Sequence, residues 1–174
     1  CLLFTVLPLY ASESLAVEPI QAGPIQAGPI QAGPVQGARS VALGSCSLES
    51  GGAIEPCNIS YRLYGTLNGD KSNAVLVPSW HNGTSADQEK FNYLGPGAMV
   101  DTDKYFVIAV DAFGNGLSSS PSNAGETPDR NFPQFSIRDM VQSQYRLLTE
   151  HLQLEGVHAV VGASMGAYQV YEWM

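Results

Sequence analysis

Positive charge is scarce in this chain: 8 Lys and Arg face 16 Asp and Glu over 174 residues, a formal net charge of -8. No run of Lys or Arg offsets the deficit, so phosphate backbones and anionic membrane surfaces are repelled, and nucleic acid is not an expected partner. Long apolar runs are also missing. No segment reaches the roughly 18 consecutive apolar residues of a membrane-spanning helix. Cysteine is limited to Cys1, Cys46 and Cys57, and histidine to His81, His151 and His158; neither a metal nor a cofactor is expected. What the chain does have is apolar content, 44% of its residues, enough for one domain with its own core.

Three parts differ in texture. Residues 1–16, "CLLFTVLPLYASESLA", run from apolar to small and polar, the order of a secretory leader with Ser14-x-Ala16 as the cleavage zone. With no initiating Met and no basic stretch before it, this reads as a partial signal peptide inside a longer reading frame. The competing reading is a first strand, for which the following Pro, Gln and Gly leave no partner. Residues 17–39 carry "PIQAG" repeats, with Pro fixing φ and Gly loosening the next bond, an extended linker. Residues 40–174 are globular. If the leader is removed, the product is exported and free of the membrane. Cys46 and Cys57 then remain, flanking Gly51-Gly52; the spacing suits a small disulfide loop, and equally two small core residues.

In the globular part, "CNISYRLYG" alternates like a strand, and "AVLVPSW" and "YFVIAV" are continuous apolar runs typical of strands buried on both faces. The stretch from Asp111 to Pro133 is rich in Gly, Ser, Pro and Asn and reads as loop. A helix follows, with Ser136 and Asp139 forming a capping box and Ile137, Val141, Leu148 and Leu152 on one face. "VHAVVG" is the next strand and "MGAYQVYEWM" the next helix. This strand–helix alternation predicts a mostly parallel α/β sheet, with "YFVIAV" and "VHAVVG" expected side by side.

The chemistry concentrates in Gly162-Ala163-Ser164-Met165-Gly166, a G-x-S-x-G between a strand and a helix. Glycines on both sides let the chain turn sharply and present Ser164 as a nucleophile above the sheet, while the helix start offers the Met165 amide to a developing oxyanion. A second donor is expected from "SWHNGTS", at Trp80 or His81, with His81 in a backbone or pocket-lining role. A serine needs a base within about 2.6–3.2 Å. His158 begins the strand that leads to Ser164; at about 3.3 Å per residue it lies roughly 15–20 Å away and is excluded. His151 falls in a last helical turn, where the dipole suits a cation. Asp111 ends a strand on the same edge and is expected to hold backbone amides. In this order of elements the acid and the histidine follow the serine, which places both after Met174.

"SYRLYGTLN", "NAVLVPSW", "YFVIAVDAFGNGLSSSPSN", "FPQFSIRDMVQSQYRLL" and "AVVGASMGAYQVYEWM" together resemble the first half of an α/β-hydrolase of the homoserine O-acetyltransferase-like group, over roughly residues 40–174. The resemblance implies an α/β-hydrolase fold that stops after the nucleophile elbow and its helix. It also implies ping-pong acyl transfer, in which Ser164 takes an acyl group from a small ester or thioester and passes it to a hydroxyl or to water. Gly166-Ala167 stands where the transferases have Gly-Gly. "SWHNGTS" and "DAFGNGLSSSPSN" look closer to the hydrolase branch, and an exported location points the same way. A homodimer is compatible with this family. A chain lacking its acid and histidine is expected to be inactive by itself, with an open sheet edge and an unpacked last helix; the rival reading is a non-catalytic product.

Overall fold

The computed structural model describes residues 5–7, 37–124 and 130–174. In chain order the elements are β1 (Thr5–Leu7), β2 (Arg39–Ala42), β3 (Cys46–Ser47), β4 (Ala53–Ile54), β5 (Asn58–Tyr64), β6 (Ala74–Pro78), α1 (Ser85–Lys90), β7 (Leu94–Gly95), β8 (Val100–Asp101), β9 (Phe106–Val110), α2 (Ile137–Arg146), a π-helical turn (Leu147–His151), β10 (Val157–Val160) and α3 (Met165–Glu172).

The main sheet has six strands in the order β1-β10-β6-β9-β5-β2. β10, β6 and β9 run parallel, whereas β5 lies antiparallel against β9 and β2 against β5. Every residue of β6 and β9 is buried, as their unbroken apolar runs require when both faces of a sheet are covered. Alternation along each strand divides the core. Ala74, Leu76, Phe106 and Ile108 pack with Met140, Leu147, Leu148 and Val170 on one face. Val75, Val77, Val107 and Ala109 pack with Leu94, Val100 and Val161 on the other.

The strands "YFVIAV" and "VHAVVG" are not neighbours. β6 lies between them, pairing Val75 with Val107 on one side and with Ala159 on the other. The chain crosses from β6 to β9 in one direction and returns over β6 to reach β10. The sheet therefore changes winding direction at β6, the kind of switch point beyond whose strand carboxyl ends α/β proteins bind their ligands. Ser79, Asp111 and Gly162 all follow strand ends on that edge.

The capping box expected for α2 is present: the Ser136 hydroxyl accepts from Asp139 N–H while the Asp139 carboxylate accepts from Ser136 N–H at 2.7 Å. α1, a helix not expected from the sequence, carries a second capping box from Thr84 and Asp87. Beyond Arg146 the helix widens, with Leu152 N–H bonding to Leu147 O at 2.9 Å. Leu147 and Leu148 are both fully buried there.

Two expectations about the ends of the chain are revised. β1 pairs antiparallel with the outer side of β10, Thr5 opposite Val160, so these residues find a strand partner despite the Pro, Gln and Gly that follow, and the β10 edge is not open along them. The other residues of 1–16, and linker residues 17–36, lie outside those described. α3 is packed rather than isolated: Gln169 and Val170 are buried, and only outward residues such as Tyr168 and Tyr171 are exposed.

Cys46 and Cys57 form a disulfide with their Cα atoms 5.6 Å apart. The bridge closes the hairpin β3–β4, which receives the start of α2: Glu49 N–H donates to Asp139 Oδ1 at 2.9 Å, and Arg146 donates to Leu43 O and Ser45 O. Replacing both cysteines by alanine should lower unfolding free energy by about 2–3 kcal/mol, the loop-closure entropy of a ring this short. Equilibrium denaturation of the two forms would measure it, and equal midpoints would contradict the assignment.

Candidate active site

The G-x-S-x-G segment forms a sharp strand-to-helix turn. Ser164 has φ 53° and ψ -124°, a backbone region that side-chain-bearing residues rarely occupy and that costs about 1–3 kcal/mol. The neighbouring glycines make the turn sterically feasible. A Cβ on Gly162 would collide with the Gly166 carbonyl group, and one on Gly166 would lie 2.8 Å from Pro78 O. The first contact is internal to the turn, and the second presses α3 onto the end of β6. Ser164 is exposed at the start of α3, and its hydroxyl makes no hydrogen bond among the described residues. As the first residue of α3, Met165 has an amide with no intrahelical acceptor.

The loop after β6 lies on the same edge. Ser79 N–H bonds to Val110 O at 2.9 Å, and Ser79 Oγ accepts from Ala112 N–H at 3.0 Å, tying the ends of β6 and β9 together. Trp80 is half-buried, its indole against Phe91 and Tyr93 with ring centroids 6.0 and 5.6 Å apart. Gly83 sits directly on that indole, where a Cβ would overlap the ring. The side chain thus anchors the loop by packing. His81 is exposed and precedes Asn82, whose φ of 58° turns the chain toward α1.

Asp111 does what its position predicts, and more. Its carboxylate accepts from Ser85 N–H (2.7 Å), Ser85 Oγ (2.9 Å), Ser60 Oγ (2.8 Å) and Asn115 Nδ2 (3.1 Å). A buried carboxylate is tolerated when its lone pairs are filled in this way. One residue thereby fixes the start of α1, strand β5 and the loop after β9. That loop, read from sequence only as irregular, is ordered by buried serines: Ser118 Oγ donates to Asp111 O at 2.6 Å and accepts from Ser60 N–H at 2.9 Å. The Ser-Ser-Ser run was the available signal, since short hydroxyl side chains commonly bond to backbone in turns.

The histidines separate as follows. His158 sits at the entry end of β10, stacked on Tyr105 with centroids 5.4 Å apart, at the opposite end of the strand from Ser164. His151 corrects the helix-dipole reading. It is half-buried, its Nε2 lies 3.1 Å from the Tyr61 hydroxyl, and its pKa is lowered, first by burial and then by the nearby Arg39 charge. Its neutral form is the favoured one, and the tyrosine is its partner. Among the described residues no group of three or more His, Cys, Asp or Glu could hold a metal ion.

The sheet is mixed rather than mostly parallel as expected, only β10, β6 and β9 running parallel; that parallel centre reversing at β6, with an exposed serine held at positive φ between a strand and a helix, defines an α/β hydrolase. The chain belongs to the alpha/beta hydrolase fold family, whose sequence model matches residues 80–173. It is 45% identical to an ethyl acetate hydrolase of Pseudomonas veronii over 134 residues and 45% identical to a probable esterase of Corynebacterium glutamicum over 138 residues. It is 38% identical to a homoserine O-acetyltransferase of Methanosalsum zhilinae over 141 residues. The chain spans 38% and 39% of the lengths of the three relatives' first and second, and 28% of the third, while 76%, 78% and 72% of the chain itself is matched. Among solved structures it resembles the acetyl esterase MekB with a TM-score of 0.75 at 43% identity, covering 79% of this chain and 40% of that one. It also resembles the homoserine O-acetyltransferase of Bacillus anthracis, with a TM-score of 0.69 at 27% identity, covering 82% of this chain and 43% of that one. The fold and the hydrolase and acyltransferase family implied by the sequence resemblance are both established by these likenesses.

Because the would-be Cβ of Gly162 meets backbone rather than a movable side chain, Gly162→Ala should destabilise the protein by about 1–3 kcal/mol, the range for overpacking. Thermal or denaturant unfolding reads the effect. Unchanged stability would mean that the turn has room the geometry denies it.

Proposed function

We propose that Ser164 is the nucleophile of an ester hydrolase acting on small acyl esters, within a protein longer than the residues described. The single observation that carries this reading is the strained Ser164 backbone, exposed at the start of α3 and locked between Gly162 and Gly166. Strain of this kind persists only where the surroundings enforce it, and it serves to project the side chain beyond the sheet.

In the reaction, Ser164 Oγ adds to the ester carbonyl carbon as its proton passes to a base. The tetrahedral intermediate collapses, the alcohol leaves with a proton, and an acyl-serine remains. Water then repeats the sequence to release the acid and restore the hydroxyl. The oxyanion formed in each half is received by the amides of Met165 and Trp80, with His81 beside them lining the loop. Donors of this kind act at the transition state and are each worth about 10²–10³ in rate. The base and the acid that orients it belong to the part of the protein that the relatives have and this chain does not span, consistent with the Ser, Asp or Glu, His order of such enzymes.

Hydrolysis is favoured over transfer to homoserine because identity is 45% to the hydrolase and esterase relatives and 37–40% to the transferases. The structural likenesses run the same way, 43% against 27%. Export is supported by the Cys46–Cys57 bridge, since disulfides persist in oxidising compartments.

The intact protein should hydrolyse p-nitrophenyl acetate, and Ser164→Ala should reduce turnover by about 10³-fold or more. Robust acetyl-homoserine formation from acetyl-CoA and homoserine without ester hydrolysis would overturn the esterase reading. Retained turnover in Ser164→Ala would remove the serine from the mechanism.

A further inference from the structure

Gln169 is fully buried, one turn into α3, and both ends of its amide are engaged. Its Nε2 donates to Ser79 O at 3.0 Å and, more weakly, to Met165 O at 3.4 Å. Its Oε1 accepts from Gln144 Nε2 of α2 at 2.5 Å, and Gln144 Oε1 in turn accepts from Trp173 Nε1 at 3.0 Å. The orientation is unambiguous. Reversing the Gln169 amide would set its oxygen against two carbonyl oxygens and its nitrogen against the Gln144 nitrogen, leaving like facing like throughout.

The Ser79 carbonyl belongs to the same planar trans peptide as the Trp80 N–H, so the two point in opposite directions. Gripping the carbonyl from within α3 therefore sets where the Trp80 amide aims. That amide has no acceptor among the described residues. The residue that grips it rides on the helix that begins with Met165. We infer that Gln169 is a positioning residue that fixes the Trp80 amide relative to the Met165 amide, making two separate loops into one oxyanion-binding pair, with Gln144 and Trp173 holding it in register. This inference rests on the reading of Ser164 as the nucleophile, and it selects Trp80 over His81 as the second donor. Among the described residues nothing else ties these two amides together: Gly166 meets the Pro78 carbonyl by contact alone, which sets a separation but no peptide orientation.

The inference predicts a loss confined to transition-state stabilisation. Gln169→Met keeps the volume and removes the bonds; in the intact protein kcat for p-nitrophenyl acetate should fall about 10- to 100-fold, with KM within about 3-fold of the parent. Gln169→Glu separates orientation from packing. Its ionised carboxylate can only accept and repels the Ser79 carbonyl, whereas its protonated form regains an O–H donor. The ratio of Gln169→Glu to parent kcat should therefore rise about 5-fold or more from pH 8 to pH 5.5, a window made accessible by burial raising the carboxyl pKa. A folded Gln169→Met protein with parental kcat, or with its loss confined to KM, would overturn the inference, as would a pH-independent Gln169→Glu ratio. The second variant decides alone if Gln169→Met fails to fold. Ser164→Ala distinguishes the failures: turnover surviving that substitution defeats the nucleophile assignment, while its loss alongside a fully active Gln169→Met protein defeats only the role of Gln169.

Discussion

The structure turns on one steric constraint, the close approach of two backbone segments at the serine turn. With hydrogen atoms at Gly162 and Gly166, the start of α3 folds back over its own strand and presses against the Pro78 carbonyl. With any larger side chain at either position, backbone would have to move. The cost of holding Ser164 at positive φ, about 1–3 kcal/mol, is offset by the burial of β6 and β9 on both faces, and by Val170, packed into the same core as Leu76 and Ile108. The strained residue is small and exposed, and the elements that hold it are apolar and buried.

Around that constraint the polar groups divide the work between two buried hubs. Asp111 gathers β5, the start of α1 and the loop after β9 through four accepted hydrogen bonds. Gln169 gathers α2, α3 and the end of β6. Both lie on the edge where the sheet changes winding direction, and each is held by partners distant in sequence. A hub of this type is intolerant of partial loss, because removing one member leaves the others buried without partners. The disulfide hairpin extends the same logic to the surface, where Glu49 and Arg146 secure the two ends of α2.

Much of this was legible in the sequence, for physical reasons that differ by element. The buried strands were visible because a strand covered on both faces must be apolar throughout, and α2 because its capping box and apolar stripe are local. The elbow was legible because its sterics demand glycine at two fixed positions. Strand order was not legible: "YFVIAV" and "VHAVVG" carry no mark that β6 stands between them, since the crossover direction is set by packing. His151 misled because proximity to a helix end says nothing of burial, and Tyr61, its partner, is ninety residues away in the chain. The roles of Gln169, Ser60 and Ser85 escaped because each depends on a partner from another element, and no periodicity announces a glutamine that faces a strand-end carbonyl.

Acyl transfer at this elbow requires Ser164 to form a covalent bond to the acyl group. The direct measurement is mass spectrometry of the intact protein after reaction with a fluorophosphonate or a slowly turned-over ester, followed by mapping of the modified peptide. A single adduct on Ser164 is expected, competed by excess ester and absent from Ser164→Ala. An actively hydrolysing protein whose adduct maps to another residue would contradict it.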